Sequence, residues 1–302
     1  MDMAFRRRSS AIALLFLALV LSFLAGPATA RKTGQLTVFW GRNKYEGSLR
    51  EACDTGLYTT VIMSFFNVFG HGRYWTDLSG HPVPGVGNDI KHCQSRHITV
   101  LLSIGGGGDG YSLPSSRSAA DVADHLWNVY LGGRRNGVFR PFGDAVVDGI
   151  DFFIDRGAPD HYDELARNLN RYSGRGKKVH LTATPRCAFP DWHVERALAT
   201  GLFERLHVRF YDDARCSYNR AGLRGVIEEW SKWTARYPRS QVYLGLAAAN
   251  VPGKYGDKVS LEALYYDLLP NVQKAGNYGG IMLWDRFYDK QTRYGAAVKY
   301  WA

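Results

Sequence analysis

The residues of this chain best suited to acid–base chemistry lie in the run DGIDFFID at residues 148–155. If this run is an extended strand, its side chains alternate between two faces, and Asp151, Phe153 and Asp155 point the same way. A carboxylate on a buried strand is costly unless it has a task or a partner, so acids there indicate catalysis or an ion pair. The spacing is typical of a catalytic strand, except that an aromatic residue, Phe153, interrupts the row of acids.

This run is one of eight short apolar or β-branched runs that predict strands. Most are separated by stretches with helical periodicity, such as residues 119–129 and 225–235, and strands that alternate with helices form parallel βαβ units. Eight units fit a single (β/α)8 TIM barrel of the α/β class, whereas no glycine-rich fingerprint follows the first run to favour a doubly wound sheet. The predicted strands are residues 36–40, 60–66, 98–104, 147–154, 178–184, 206–211, 241–246 and 279–284.

Function in such a barrel gathers at the carboxyl ends of the strands. The predicted strand ends are rich in aromatic residues, among them Phe65, Tyr211 and Trp284, and Tyr45 and Tyr111 are further candidates to face the cleft. Aromatic rings in this position predict a pocket of the kind that binds sugars, although barrel cores also use aromatic side chains for packing alone.

The amino terminus has the pattern of a secretory signal peptide. Arginines at positions 6–8 precede an apolar run at 11–24, and the small residues at 28–30 supply a cleavage site. The run is too short for a membrane anchor. We therefore expect residues 1–30 to be a signal peptide and residues 31–302 to form one secreted, extracellular domain that does not bind a membrane.

The formal net charge is +10. Secretion and the lack of a recognition motif make nucleic acid an improbable partner. The excess of basic residues fits a solvated surface or an acidic partner that the charge attracts.

Four cysteines in a secreted chain predict two disulfides. Three pairings are possible, and the spacing favours Cys53–Cys93 and Cys187–Cys216 as local links. No CxxC or CxxH spacing occurs, so we expect no zinc site, and nothing in the sequence calls for a cofactor.

The run at residues 148–155 resembles the DGxDxDxE signature of family 18 chitinases. The turn at residues 103–106, the pair at 210–211 and Trp284 extend the resemblance to the plant class III chitinases over nearly the whole mature chain. Residues 279–286 look closer still to the xylanase inhibitor proteins of cereal grains, which are family 18 barrels without glycosidase activity.

The resemblance implies that catalysis is lost. Family 18 enzymes use the acetamido group of the substrate as the nucleophile, with a Glu as the acid and a neighbouring Asp that orients the acetamido group. Here Phe153 replaces that Asp, and Asp155, which is one methylene shorter, replaces the Glu. Shortening the acid and losing its electrostatic partner should each cost about a hundredfold in rate.

The related chitinases have Gln where this chain has Arg209. Strand parity sends Arg209 and Tyr211 into the barrel together. We expect an ion pair between Arg209 and Asp155, or one shared with Asp151, that keeps Asp155 ionised and unable to act as an acid. The alternative is that Arg209 extends to solvent.

The cereal inhibitors use an Arg on the loop before the fifth strand against family 11 xylanases. Residues 171–178 form this loop here, and glycines flank Arg175, which we match to that Arg. Arg175, Lys177 and Lys178 are therefore the candidate residues for binding a fungal xylanase in a 1:1 complex. The competing interpretation is a solvated basic turn.

Against family 10 xylanases the cereal inhibitors use a Lys on the helix before the last strand. Alignment on Tyr265 and Tyr266 places Glu262 at that position, and an acid there would repel catalytic carboxylates. Lys254 and Lys258 are the nearby cations that could compensate.

The leading hypothesis is thus a secreted, non-catalytic protein, monomeric when free, that inhibits fungal endo-1,4-β-xylanases competitively in plant defence, in the apoplast or cell wall. Family 11 is favoured and family 10 is doubtful. The alternatives are a carbohydrate-binding or storage lectin of the same scaffold, and a weak chitinase that uses Asp155, which Phe153 makes improbable.

Overall fold

The structure, a computed structural model, describes residues 31–250 and 258–302. The expected signal peptide and Lys254 lie outside the described residues. Among the described residues, no helix has the length and apolar character needed to cross a bilayer.

Eight parallel strands close into a barrel. The first strand, β1, pairs with the second on one side and with the last on the other, so the parallel sheet has no free edge. A two-residue strand, β3, adds antiparallel to the end of the second strand, outside the barrel. The strands are β1 Leu36–Trp40, β2 Thr60–Val68, β3 Trp75–Thr76, β4 Thr99–Gly106, β5 Gly149–Ile154, β6 His180–Ala183, β7 Arg205–Arg209, β8 Gln241–Ala247 and β9 Tyr278–Trp284.

Helices follow the strands and cover the outside of the barrel. A π-helical segment, Leu264–Leu268, joins two short helices ahead of the last strand. The helices are α1 Leu49–Asp54, α2 Val86–Ser95, α3 Ser116–Val129, α4 Tyr162–Tyr172, α5 Glu195–Leu198, α6 Tyr218–Arg236, α7 Leu261–Ala263, α8 Leu269–Val272, α9 Arg286–Thr292 and α10 Tyr294–Val298.

All eight predicted barrel strands are present, with ends that differ from the prediction by no more than two residues. They were predictable because a strand buried on both faces is a nearly continuous apolar run. The hairpin strand β3 was missed because two residues carry no periodic signal. The short helices α1 and α9 were also missed, and each is fixed by its cap: Ser48 accepts from the amide of Glu51, and Asp285 from that of Tyr288.

The barrel encloses one set of buried side chains, and a larger set packs between strands and helices. Within β1, Phe39 belongs to the inner set whereas Val38 and Trp40 belong to the outer one, as strand alternation requires. The inner set is Phe39, Ile62, Phe65, Leu101, Phe153, Tyr211, Tyr243, Ala247, Met282 and Trp284.

Two disulfides tie neighbouring segments together. Cys53–Cys93 joins α1 to α2, and Cys187–Cys216 joins the segment after β6 to the segment before α6. This is the pairing that the cysteine spacing favours.

Candidate functional site

Asp151, the first inward acid of β5, is completely buried and held by hydroxyl groups. The Ser103 hydroxyl donates to one carboxylate oxygen at 2.8 Å, and those of Thr182 and Thr184 donate to the other at 2.7 and 3.0 Å. Nδ1 of His207 lies 3.6 Å away. The expectation that Asp151 shares the Arg209 side chain is wrong, because β4 and β6 already satisfy this carboxylate from both sides.

Phe153 is the next inward residue of β5, and its ring fills the top of the barrel. It meets Phe65 and Phe39 edge to face, with centroids 5.0 and 5.8 Å apart, and lies 5.6 Å from the Trp284 ring. Edge-to-face packing of this kind stabilises an apolar cluster. Position 153 therefore contributes an apolar ring, packed against three other aromatic rings, to the top of the barrel.

Asp155 forms a two-pronged ion pair with Arg209. Nη2 of Arg209 lies 2.5 Å from one carboxylate oxygen of Asp155, and Nη1 lies 3.1 Å from the other. Nη1 also reaches Asp212 at 3.2 Å. The guanidinium carbon sits 4.1 Å from the centroid of the Phe153 ring, so the ring attracts the cation. Arg209 is 2% exposed and does not extend to solvent.

A second arginine completes this charge cluster. Nε of Arg186, which follows β6, lies 3.3 Å from Asp155. Burial disfavours ionisation of Asp155, but the charges and hydrogen bonds of Arg209 and Arg186 outweigh it and lower the pKa of Asp155 below its usual value. Burial raises the pKa of Asp212, which Arg209 offsets only in part. Asp155 is thus held ionised, the wrong state for a general acid.

The backbone of Asp155 is fixed as firmly as its side chain. The Tyr111 hydroxyl accepts from the amide groups of Asp155 and Arg156 at 3.0 and 3.1 Å and donates to the carbonyl oxygen of Gly106 at 2.6 Å. Tyr111 is therefore a buried brace beneath the cleft. At Gly105, where φ is +103°, an added Cβ would lie 2.2 Å from the carbonyl oxygen of Phe153, so only glycine lets the strand ends approach this closely.

A cavity of about 460 Å³ remains at the mouth of the barrel. Phe65, Arg209, Tyr211 and Trp284, the residues expected to form a pocket, all lie in its wall. The sequence did not single out Arg42, Arg186 or Asp212, which follow β1, β6 and β7, or Asn67, which lies near the end of β2. The lining residues are Arg42, Phe65, Asn67, Gly105, Gly107, Gly108, Phe153, Asp155, Arg186, Arg209, Tyr211, Asp212 and Trp284.

The basic loop lies at the opposite end of the barrel, because it leads into the amino end of β6. Arg175 is exposed in a single 3₁₀ turn, Ser173–Arg175, and its guanidinium carbon sits 5.5 Å from the centroid of the Tyr172 ring. Within the described chain, Arg175 forms no ion pair with an acidic side chain.

The two lysines of the loop differ from Arg175 in that respect. Lys177 pairs with Asp148 just before β5, and Lys178 pairs with Glu204 just before β7. His180 also contacts Glu204, at 2.8 Å. Hydrogen bonds from His180 and Lys178 lower the pKa of Glu204 to about 2 although burial opposes the shift. Lys177 and Lys178 are thus each paired within the chain while their side chains stay 51% and 62% exposed, and their expected role in binding a partner stays a prediction.

Among residues 31–250 and 258–302, no group of three His, Cys, Asp or Glu side chains is arranged to hold a metal ion. The acids at the barrel mouth are engaged by arginines. The site therefore offers a walled cavity in which the carboxylates of Asp155 and Asp212 lie beside arginines.

Fold and site together define a barrel of the glycosidase type with a cavity at the carboxyl ends of its strands. Residues 35–258 match the model of the family described as Glycosyl hydrolases family 18, and the chain belongs to that family.

The proteins similar to this chain include xylanase inhibitor proteins and a chitinase. The chain is 70% identical to Xylanase inhibitor protein 1 of Oryza sativa subsp. japonica and 54% identical to Xylanase inhibitor protein 1 of Triticum aestivum, each match covering 99% of both chains. The structure of the chitinase ICChI from Ipomoea carnea is similar at 37% identity with a TM-score of 0.82, covering 89% of this chain and 100% of that one.

Proposed function

We propose that this protein is a secreted, non-catalytic member of family 18 that inhibits fungal endo-1,4-β-xylanases competitively in plant defence, as a monomer that binds one enzyme molecule. The observation that carries the proposal is the pairing of Asp155 with Arg209 at the barrel mouth, while Arg175 stands exposed at the other end. The names of the relatives that are 70% and 54% identical support the class of target.

Loss of glycosidase activity follows from three features of the mouth. Phe153 cannot orient an acetamido group, Asp155 is held ionised and one methylene short, and Arg209 occupies the space between them. A general acid has to hold a proton when substrate arrives. With these three features, Asp155 cannot hold the proton that a general acid needs at neutral pH.

Inhibition through Arg175 follows from the chemistry of the target. A glycosidase of this kind carries two carboxylates in its cleft. An exposed guanidinium on a narrow turn can enter such a cleft and bind a carboxylate through two parallel hydrogen bonds. Substrate then cannot occupy the same space, so inhibition is competitive. Because Lys177 and Lys178 are paired within the chain, Arg175 is the cation of this loop that we assign to family 11 xylanases.

Family 10 xylanases should be poor targets. Glu262, at the position where the cereal inhibitors have a Lys, is exposed in the first turn of α7. Lys258 is engaged elsewhere, because its ammonium lies 5.4 Å from the centroid of the Tyr294 ring in its own chain. An uncompensated acid on this surface repels the carboxylates of an approaching enzyme.

Sugar binding is the second candidate, and the cavity at the mouth favours it. Trp284 and Phe65 supply ring faces, and Arg42 and Asn67 supply polar groups. In this alternative the protein is a lectin or a storage protein without hydrolase activity, and the basic loop has no role.

The test is a titration of a family 11 fungal xylanase with the purified protein. Wild type should inhibit stoichiometrically, and Arg175→Ala should weaken inhibition by about 30- to 1,000-fold, as expected for a hot-spot residue. Arg171→Ala is the matched control, since Arg171 is an exposed arginine four residues before Arg175 whose guanidinium donates to Asn168 at 3.1 Å.

Equal losses from the two arginine variants would assign inhibition to net charge rather than to Arg175. If wild type fails to inhibit, calorimetry with chito-oligosaccharides tests the sugar-binding alternative.

A further inference from the structure

The loop that carries Arg175 is backed by two stacked aromatic rings. Trp127 comes from α3 and Tyr172 ends α4, and their rings are parallel within 2° with centroids 4.6 Å apart. The stack thus links two neighbouring helices of the outer layer at the amino end of the barrel. Both side chains are partly buried.

Arg175 follows Tyr172 by three residues and lies over its ring, with 5.5 Å between guanidinium carbon and ring centroid. A guanidinium within about 6 Å of an aromatic centroid is attracted to the ring. The stack with Trp127 fixes the plane of the Tyr172 ring, and the ring in turn gives the guanidinium a fixed surface to rest on.

The backbone of the loop is anchored on both sides of Arg175. The Ser173 hydroxyl accepts from the amide of Val179 at 3.0 Å and closes the loop. The ion pairs of Lys177 with Asp148 and of Lys178 with Glu204 tie the far side to the strands β5 and β7. With the backbone held, the orientation of the Arg175 side chain depends on Tyr172.

We propose that Trp127 and Tyr172 are positioning residues that hold Arg175 in the orientation in which it enters the acidic cleft of its target. This inference rests on the proposed function and adds residues that act through Arg175 without touching the enzyme. A long arginine side chain loses conformational freedom on binding, so a guanidinium that is already held loses less. The two lysines, in this account, shape the loop rather than bind the partner.

The inhibition assay against a family 11 xylanase tests the coupling. Tyr172→Leu should weaken inhibition by about three- to tenfold, whereas Tyr172→Phe, which keeps the ring, should leave it unchanged. In the Arg175→Ala background, Tyr172→Leu should cause no further loss. If Tyr172→Leu weakens both backgrounds equally, or Tyr172→Phe is as weak as Tyr172→Leu, the positioning role is overturned.

A second readout needs no partner. In NMR spectra of the free protein, ring currents should shift the Arg175 side-chain methylene protons upfield of those of Arg171. The shift should persist in Tyr172→Phe and vanish in Tyr172→Leu. Its absence from wild type would overturn this inference whatever the assay gives, whereas its presence in a protein that inhibits no xylanase would count against the proposed function alone.

Discussion

Two arginines at opposite ends of the barrel have opposite surroundings. At the carboxyl end, Arg209 is 2% exposed and shares its charge between Asp155 and Asp212. At the amino end, Arg175 is exposed and rests on an aromatic ring. The buried arginine is thus paired within the chain, whereas the exposed one forms no ion pair among the described residues.

The buried arginine stabilises the fold, whereas the exposed arginine is available to a partner. A buried pair is already desolvated and satisfied, so it has little to offer a second molecule. An exposed guanidinium keeps its hydrogen-bonding capacity until a carboxylate arrives. Two arginines of the same chain therefore have different roles because their surroundings differ.

The largest expected effect is on stability. Arg209→Met should lower the free energy of unfolding by about 3–5 kcal/mol, because it leaves Asp155 and Asp212 buried without their shared cation. Denaturation by urea measures the loss. At temperatures where the variant is folded, its inhibition of a xylanase should equal that of wild type. A folded Arg209→Met variant that inhibits poorly would show that inhibition depends on the ion pair at the barrel mouth.

A second prediction concerns catalysis at the mouth. Phe153→Asp combined with Asp155→Glu should remain inactive on chito-oligosaccharides, because Arg209 still holds the new carboxylate. Adding Arg209→Gln should raise hydrolysis by about a hundredfold or more, since the acid is then longer, supported and free to be protonated. Equal activity of the double and triple variants would show that Arg209 does not restrain the acid.

The pH dependence of stability tests the ion pair between Arg209 and Asp155 directly. Because the folded pKa of Asp155 lies below its unfolded value, its ion pair contributes stability above the unfolded pKa of about 3.9 and loses it as pH falls through the lowered folded pKa. In Arg209→Met, burial raises the pKa values of Asp155 and Asp212 without that cation to oppose it, so the variant takes up protons first and the difference in unfolding free energy between wild type and variant should shrink as pH falls from about 7. Urea titrations across this range measure it. A difference that stays the same from about pH 7 to about pH 4 would mean that Arg209 does not control the protonation of these two carboxylates.

The smallest expected effect is at Glu262. Glu262→Lys should strengthen inhibition of a family 10 xylanase by about fivefold, as reversing one exposed charge does, and should leave family 11 inhibition unchanged. Inhibition constants against both enzymes give the answer. Equal gains against both would indicate general electrostatic attraction rather than a separate surface.

Much of the fold was predictable because each barrel strand is an apolar run, and strand parity alone directed Arg209 towards Asp155. Arg186 was missed because it comes after β6, on a segment beyond the strand whose side-chain direction parity does not fix. Its backbone forms an isolated parallel β-bridge with the backbone of Arg209 at the end of β7, and this pairing places the Arg186 side chain within reach of Asp155.

The acidic partners of the two loop lysines were also missed, although the order of the strands in the barrel places them nearby. Asp148 and Glu204 are 29 and 26 residues from their lysines in sequence. They meet because β5 and β7 flank β6, so the residues just before all three strands share one end of the barrel. Charge runs read along the chain alone cannot show such pairing.

The most direct test of the account is the structure of the complex with a family 11 fungal xylanase. The account predicts one inhibitor for each enzyme, with the Arg175 guanidinium hydrogen-bonded to a catalytic carboxylate and the barrel mouth open to solvent. A complex in which the enzyme covers the mouth, with Arg175 remote from the cleft, would contradict it.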